Sequence, residues 1–192
     1  MLKTEGINTV EDIIIISSLV ASKSVSDEWT KVTGEDQMSW KSSFAVRLEM
    51  LYFFLHMMSR YAFPISQEAR ATLQDELVPR TIQRLIKTSF DRSKVKKGVN
   101  VKVFDAEMVS SALEEYNEAE IDYSSCKRLG IEDKVGSSSE ETILNKLVWR
   151  INRSTGHEFT INLEFLVWKA AVESLAKSEL KEKVRKLIDR GD

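Results

Sequence analysis

The amino-acid sequence predicts an all-α protein, a single-domain bundle of about five to seven helices over residues 1–192. Residues that interrupt helices are scarce, because the chain has seven glycines and two prolines among its 192 residues. Apolar side chains recur at the three- and four-residue spacing of a helix in most segments. The composition, 42% hydrophobic and 30% charged, is typical of a chain that buries one core.

Three helices are predicted in the first third of the chain. The first spans Val10–Ser22, and a short one over Asp27–Val32 is interrupted at Gly34. A long helix follows from Asp36 to Ala62 and ends there because Pro64 pushes the preceding residue out of the helical region. Large apolar side chains surround this third helix, which is therefore predicted to be the central helix of the core.

The next segment predicts one more helix and then a break in the pattern. Ser66 caps a helix whose apolar spacing continues past Pro79, where a kink or a restart is expected. Val99, Val101 and Val103 then alternate with polar residues, and this allows a short β-hairpin near 95–104.

The remaining third predicts helices separated by glycines and capping residues. One helix extends from Asp105 to about Arg128. A capping box over Ser138–Glu141 begins the next, which Gly156 ends. The last extends from Thr160 to near the terminus and is expected to divide in two at Ser178.

The motifs of common catalytic and cofactor sites are absent from the sequence. The glycines lack the spacing of a P-loop or a dinucleotide fingerprint. The two histidines and one cysteine form no Glu-x-x-His, His-x-x-x-His or Cys-x-x-Cys pattern. We therefore predict no metal, no cofactor and no catalytic residue. The absence of these motifs favours a non-catalytic protein. Catalysis by carboxylates is the alternative, because it leaves little local signature in a sequence.

The sequence predicts a cytoplasmic protein. The apolar stretch Ile13–Ala21 is much shorter than the roughly 20 residues that span a bilayer. Acidic residues precede it where a signal peptide carries basic ones. The single cysteine, Cys126, forms no intramolecular disulfide, which fits a reducing compartment, and we expect it to be structural.

Polar residues share one stripe of the predicted central helix. At 100° per residue, Glu49, His56 and Arg60 fall within a sector about 60° wide. A carboxylate that orients a histidine beside an arginine suits an anionic ligand. The predicted ligand-binding residues are Glu49, Tyr52, His56 and Arg60. The alternatives are a solvated face of the helix or a polar network that ties two helices together.

Two adjacent blocks of opposite charge lie within a chain whose net charge is only −2. Residues 78–102 hold eight basic residues and one acidic residue, and residues 103–125 hold seven acidic residues and no basic ones. The predicted partner-binding residues are Arg80, Arg84, Lys87, Lys94, Lys96, Lys97, Glu107, Glu114 and Glu118. The blocks fit a protein partner or self-association, solvated or internally paired surfaces, or nucleic-acid binding by the basic segment.

These observations favour a non-catalytic cytoplasmic module that acts through protein contacts. The alternative is a ligand-binding bundle or enzyme with a pocket around Glu49, His56 and Arg60. Weak nucleic-acid binding through residues 80–102 is a third hypothesis, which the slightly acidic total charge disfavours.

Overall fold

A computed structural model describes residues 2–89, 101–130, 142–157 and 160–190. Over these ranges the chain is helical with no strand, and the predicted all-α single-domain bundle is confirmed. Its seven helices are α1 (Thr4–Thr33), α2 (Trp40–Ala62), α3 (Gln67–Ser89), α4 (Val101–Ser124), α5 (Ile143–Thr155), α6 (Ile161–Ser178) and α7 (Leu180–Arg190).

Helix α2 is the central helix, as its sequence predicts. The six consecutive side chains of 50–55 are all fully buried. Such burial on every face requires neighbours on every side, and α2 packs against α1, α3, α4, α5 and α7. Ser39, and not Asp36, is its N-cap, since the Ser39 hydroxyl accepts the amide N–H of Ser42 at 3.0 Å.

The prediction of two helices before Gly34 is wrong, because Thr4–Thr33 forms the single helix α1. The residues between the two predicted helices include no glycine or proline. Val25 and Trp29 are fully buried and continue the apolar face of the preceding turns. Gly34 ends α1 with a left-handed φ of 75°, and its amide donates to the carbonyl of Thr30 at 3.0 Å.

Helix α3 continues through Pro79 without interruption. Ser66 caps it as predicted, with its hydroxyl accepting the amide of Ala69 at 3.1 Å. Val78 and Ile82, on either side of the proline, are both buried. Packing of this face against the core therefore offsets the hydrogen bond that proline removes from the helix.

The β-hairpin prediction is wrong over its second half, because the chain is helical from Val101 onward. Residues 95–100, which hold its first half, lie outside the described part of the chain. The alternation of valines was too short to exclude a helix, since Val99 and Val103 also have the i, i+4 spacing.

Helix α4 is shifted toward the N-terminus relative to its prediction. It begins before Asp105 and ends at Ser124, not at Arg128. The amide of Cys126 donates to the carbonyl of Tyr123 at 3.0 Å and so tightens the last turn.

The last three helices begin and end at capping residues. The Thr142 hydroxyl caps α5 by accepting the amide of Asn145 at 3.2 Å, whereas the predicted capping box at 138–141 lies outside the described residues. Thr160 caps α6 by accepting from Leu163 at 3.2 Å. Ser178 separates α6 from α7 as predicted, because Glu179 takes a left-handed φ of 52°.

No helix in the described ranges has the length and apolar character needed to cross a membrane.

Candidate functional site

A buried polar network connects α2 with α5. Glu49 of α2 is 3% exposed. Its Oε2 accepts from Nε of Arg150 at 2.8 Å, and its Oε1 accepts from Nη2 of the same side chain at 3.4 Å. The Ser154 hydroxyl donates to Oε1 at 2.8 Å. Three donors thus offset part of the cost of burying the carboxylate, but burial still raises the pKa of Glu49 above its usual value.

The same guanidinium also reaches α4. Nη1 of Arg150 donates to Oδ2 of Asp122 at 2.8 Å, and Nη2 donates to the carbonyl of Glu115 at 3.3 Å. Burial lowers the pKa of Arg150, but the carboxylates of Glu49 and Asp122 outweigh burial and raise the pKa above its usual value. Arg150 is therefore a permanent cation that holds α2, α4 and α5 together.

Two further residues of the predicted ligand-binding stripe contact α4. The Tyr52 hydroxyl donates to Oε2 of Glu115 at 3.4 Å. Nδ1 of His56 lies 2.9 Å from Oε2 of Glu120, and the other oxygen of this carboxylate, Oε1, lies 3.5 Å from Nη2 of Arg70 on α3. Both stripe residues are buried, so this part of the stripe is a helix contact and not a solvated face.

The fourth stripe residue, Arg60, contacts the segment after α4. Its guanidinium donates to the backbone carbonyls of Cys126, at 3.1 Å, and Lys127. Both carbonyls lie in the segment that follows the end of α4 at Ser124, so Arg60 attaches this segment to α2. The structure places Cys126 in a buried position, 3% exposed.

A cleft of about 400 Å³ lies between α2, α4 and α5, directly beside the buried polar network. Its lining residues are Lys41, Phe44, Ala45, Leu48, Glu49, Met108, Ser111, Ala112, Glu115, Glu118, Arg150, Arg153 and Ser154. Of the predicted ligand-binding residues, only Glu49 lines it. Tyr52, His56 and Arg60 are instead used in the contacts with α4 and the segment that follows.

Two tryptophans adjoin this cleft and are exposed at nearly half of their surface. Trp40, 45% exposed, stacks on Phe44 with 5.5 Å between ring centroids. Trp149, 46% exposed, lies under the guanidinium of Arg153 at 5.5 Å. Because Phe44 and Arg153 line the cleft, the aromatic surface continues outward from it on both sides.

The walls of the cleft carry opposite charges. Helix α4 contributes Glu115 and Glu118, whereas α2 and α5 contribute Lys41 and Arg153. Arg153 and Glu118 form a loose ion pair across the cleft at 3.9 Å, with both side chains more than 60% exposed. The cleft therefore combines apolar lining residues, Phe44, Leu48 and Met108, with charged residues of both signs.

Comparisons with protein-family models, with curated proteins and with solved structures gave no match to this chain. The function is therefore inferred from the geometry of the chain itself.

The predicted partner-binding arginines contact α1. Arg80 donates to Oδ1 of Asn8 at 2.8 Å and forms an ion pair with Glu11. Arg84 forms ion pairs with Asp12 and with Glu11, which is 3% exposed. These arginines thus stabilise the packing of α3 on α1. The partners named here belong to α1 and not to the acidic block of residues 103–125.

The other predicted partner-binding residues lie in different environments. Lys87 is exposed beside the two arginines. Glu107, Glu114 and Glu118 are exposed on α4, and Glu118 lines the cleft. Lys94, Lys96 and Lys97 lie outside the described residues.

The sequence reasoning missed the contribution of α5 to the site. Arg150 falls on the face of α5 that also carries Leu147 and Ile151, both fully buried. An arginine at a position whose helical spacing predicts burial requires a carboxylate partner, and this was the available signal. Among the described residues, His, Cys, Asp and Glu form no group of three or more that could hold a metal ion.

Proposed function

We propose that this chain is a non-catalytic cytoplasmic module that binds a segment of a partner protein in the cleft between α2, α4 and α5. The observation that carries the proposal is a cleft with two lining residues, Phe44 and Arg153, that each pack on a half-exposed tryptophan, Trp40 and Trp149 respectively. Tryptophan contributes strongly to protein interfaces, and its contribution is largest near the centre of the contact.

The extent of the apolar surface favours a protein over a small molecule. A volume of about 400 Å³ is enough for a few side chains or one small ligand. Trp40 and Trp149 extend the contact area outward, where a small ligand inside the cleft would leave them in water. A protein segment covers both the cleft and the tryptophans.

The charged walls indicate which segment fits. An amphipathic helix with an apolar stripe would place that stripe on Phe44, Leu48 and Met108. Basic residues on one side of its stripe would face Glu115 and Glu118, and acidic residues on the other side would face the cationic wall. Charge complementarity of this kind fixes the orientation of a bound helix.

A cytoplasmic location is part of the proposal. It is supported by the single cysteine, Cys126, which is buried and has no second cysteine to pair with.

The experiment uses a designed peptide of about 18 residues, five helical turns, with this charge pattern. Binding is measured by calorimetry and by the fluorescence of the tryptophans. We expect the peptide to bind, and a scrambled peptide of equal composition not to bind. Ala45→Arg, which fills the cleft, should abolish binding, whereas Ala106→Arg, at an exposed position of α4 outside the lining, should not. Equal binding of both peptides, or of both variants, would refute the proposal.

Small-ligand binding in the same cleft is the second candidate, because Glu49 and Arg150 place polar atoms beside an apolar floor. Thermal stabilisation by a panel of small anions and metals measures it. Stabilisation that Ala45→Arg removes, without any peptide binding, would favour this candidate over a protein partner. Loss of stabilisation in His56→Ala and Arg60→Ala would instead indicate that the ligand binds at the predicted ligand-binding stripe of α2.

A further inference from the structure

A second concave surface lies between α1 and α6. It is an open groove of about 680 Å³. Its lining residues are Ser24, Asp27, Glu28, Lys31, Val32, Ile161, Asn162, Phe165, Leu166, Lys169, Ala170 and Glu173. None of them lines the cleft between α2, α4 and α5.

Large apolar side chains are exposed along this groove. Ile161 is 79% exposed and Phe165 is 65% exposed, and both lie on its α6 wall. On α1, Ile16 and Val20 are 60% and 50% exposed and form a line with Ser24 of the groove at four-residue spacing. Single exposed apolar residues are ordinary, but two that line one groove, with two more on the preceding turns of its α1 wall, are typical of an interaction surface.

The charges of the groove divide between its two walls. The α1 wall carries the adjacent acidic residues Asp27 and Glu28, and the α6 wall carries Lys169. All three side chains are exposed. Lys31 on α1 and Glu173 on α6 add one charge of the other sign to each wall, which leaves the α1 wall at −1 and the α6 wall neutral. Within α1, Asp27 pairs with Lys23 at 3.0 Å and Glu28 pairs with Lys31 at 2.8 Å, and all four side chains are exposed.

We propose that a second copy of this chain covers the groove in a two-fold symmetric dimer. A two-fold contact uses the same surface twice, so the surface must be complementary to itself. When the axis runs along the groove, the α1 wall of one copy faces the α6 wall of the other. Asp27 and Glu28 of each copy then face Lys169 of its neighbour, and the attraction occurs twice.

The apolar residues fit the same arrangement. Phe165 of one copy lies against the α1 wall of the other, where Val32 offers a partly buried apolar contact. A wholly acidic or wholly basic groove would repel its own copy, and this one does not. The dimer leaves the cleft between α2, α4 and α5 open in each copy, so each dimer presents two such clefts. A partner with two binding segments would therefore bind the dimer with avidity.

Charge exchange tests the reciprocity that a two-fold contact requires. One variant is Asp27→Lys with Glu28→Lys, and the other is Lys169→Glu. In either variant, the side chains at positions 27 and 28 of each copy face a side chain of the same sign at position 169 of its neighbour. In a mixed dimer of the two variants, these facing side chains have opposite signs at both contacts. We therefore expect the unsubstituted chain to be a dimer, each variant alone to be a monomer, and the equimolar mixture to be a dimer again.

The measurement is sedimentation equilibrium at low salt, because exposed ion pairs are screened at high salt. Protein is used on the order of 100 µM, where a dimer with a micromolar Kd is nearly complete. An unsubstituted chain that stays monomeric overturns the proposal. So do variants that remain dimeric, which would place the interface elsewhere, and a mixture that remains monomeric, which would remove the reciprocal contact.

A matched pair of apolar substitutions tests the remainder of the interface. We expect Phe165→Ser to raise the Kd of the dimer about tenfold or more, because its ring is buried between the copies. Ile121→Ser, at a position of α4 that is 73% exposed, should leave the Kd unchanged. Equal effects of the two substitutions would contradict the proposed interface. All substituted side chains are exposed, and thermal unfolding of each variant checks that the fold is retained. None of these results depends on peptide binding in the other cleft.

Discussion

Arg150 of α5 donates from Nε to Oε2 of Glu49 on α2 across 2.8 Å, and both side chains are buried. The two residues are 101 positions apart in the chain. The pair fixes the distance between two walls of the α2–α4–α5 cleft. Removal of either partner leaves a buried charge without its main compensation.

We therefore expect Arg150→Met to lower the free energy of unfolding by about 3–5 kcal/mol, measured by urea denaturation. The double variant Glu49→Gln with Arg150→Met should be less destabilised than the two single effects together predict, since neither group is then left charged and alone. Arg153→Met is the control, because its side chain is 62% exposed, and it should cost less than about 1 kcal/mol. Equal losses for Arg150→Met and Arg153→Met would show that the buried pair has no special role.

The position of α2 at the centre of the core gives a second prediction. Phe53 is fully buried, whereas Phe63, just after the same helix, is 51% exposed. Phe53→Ala should lower the free energy of unfolding by about 3–5 kcal/mol, because it removes a ring from a packed interior. Phe63→Ala should lower it by less than about 1 kcal/mol. Chemical denaturation of both variants compares them, and similar losses would be incompatible with a central α2.

The contact of α1 with α3 gives a third prediction. Glu11 is 3% exposed and forms ion pairs with Arg80 and Arg84, and the adjacent Asp12 is about half exposed. Glu11→Gln should lower the free energy of unfolding by about 1.5–3 kcal/mol, since the amide removes the buried charge with which Arg80 and Arg84 pair. Asp12→Asn should lower it by less than about 1 kcal/mol. The same urea titration measures both variants. A larger loss for Asp12→Asn than for Glu11→Gln would contradict the pairing of Arg80 and Arg84 with the buried Glu11.

The four tyrosines predict the response of the protein to high pH. Burial raises the pKa of Tyr52, Tyr61, Tyr116 and Tyr123, because a buried phenolate lacks hydration. Above about pH 10 the unfolded chain loses these protons while the folded protein retains them. The free energy of unfolding therefore has its full value below about pH 10 and falls as the pH rises, by up to about 1.4 kcal/mol per pH unit for each of the buried tyrosines Tyr52, Tyr116 and Tyr123.

Urea titrations at a series of alkaline pH values measure this decline, and tyrosinate absorbance should develop together with unfolding. Tyr123→Phe, which removes a fully buried hydroxyl, should make the decline shallower. Tyrosinate absorbance in a protein that is still folded at pH 10 would contradict the expected burial.

Much of the fold was predictable because helix ends are local features. Ser66 and Thr160 cap helices through their own hydroxyls, and Gly156 ends one with a left-handed φ. Such signals require only a few neighbouring residues. The errors arose where the signal was a short pattern. The first helix was predicted to end at Ser22, whereas burial of Val25 and Trp29 continues the helix beyond that residue.

The site was less predictable because it depends on how the helices are aligned with one another. The sector of Glu49 and His56 on α2 follows from helical spacing alone. Their partners do not, because Arg150 and Glu120 lie on helices whose alignment with α2 is decided by packing. The stripe was therefore identified, but its division into a cleft at Glu49 and a closed contact at His56 required the assembled bundle.

The packing of α1 bears on when the protein folds during synthesis. This helix packs against α6 and α7, which are synthesised after α2–α5, as well as against α2 and α3. A nascent chain that has emerged only through α5 has no partner for the α6-facing side of α1. The bundle is thus complete only after α7 has emerged, and until then the apolar residues on that side of α1 stay uncovered.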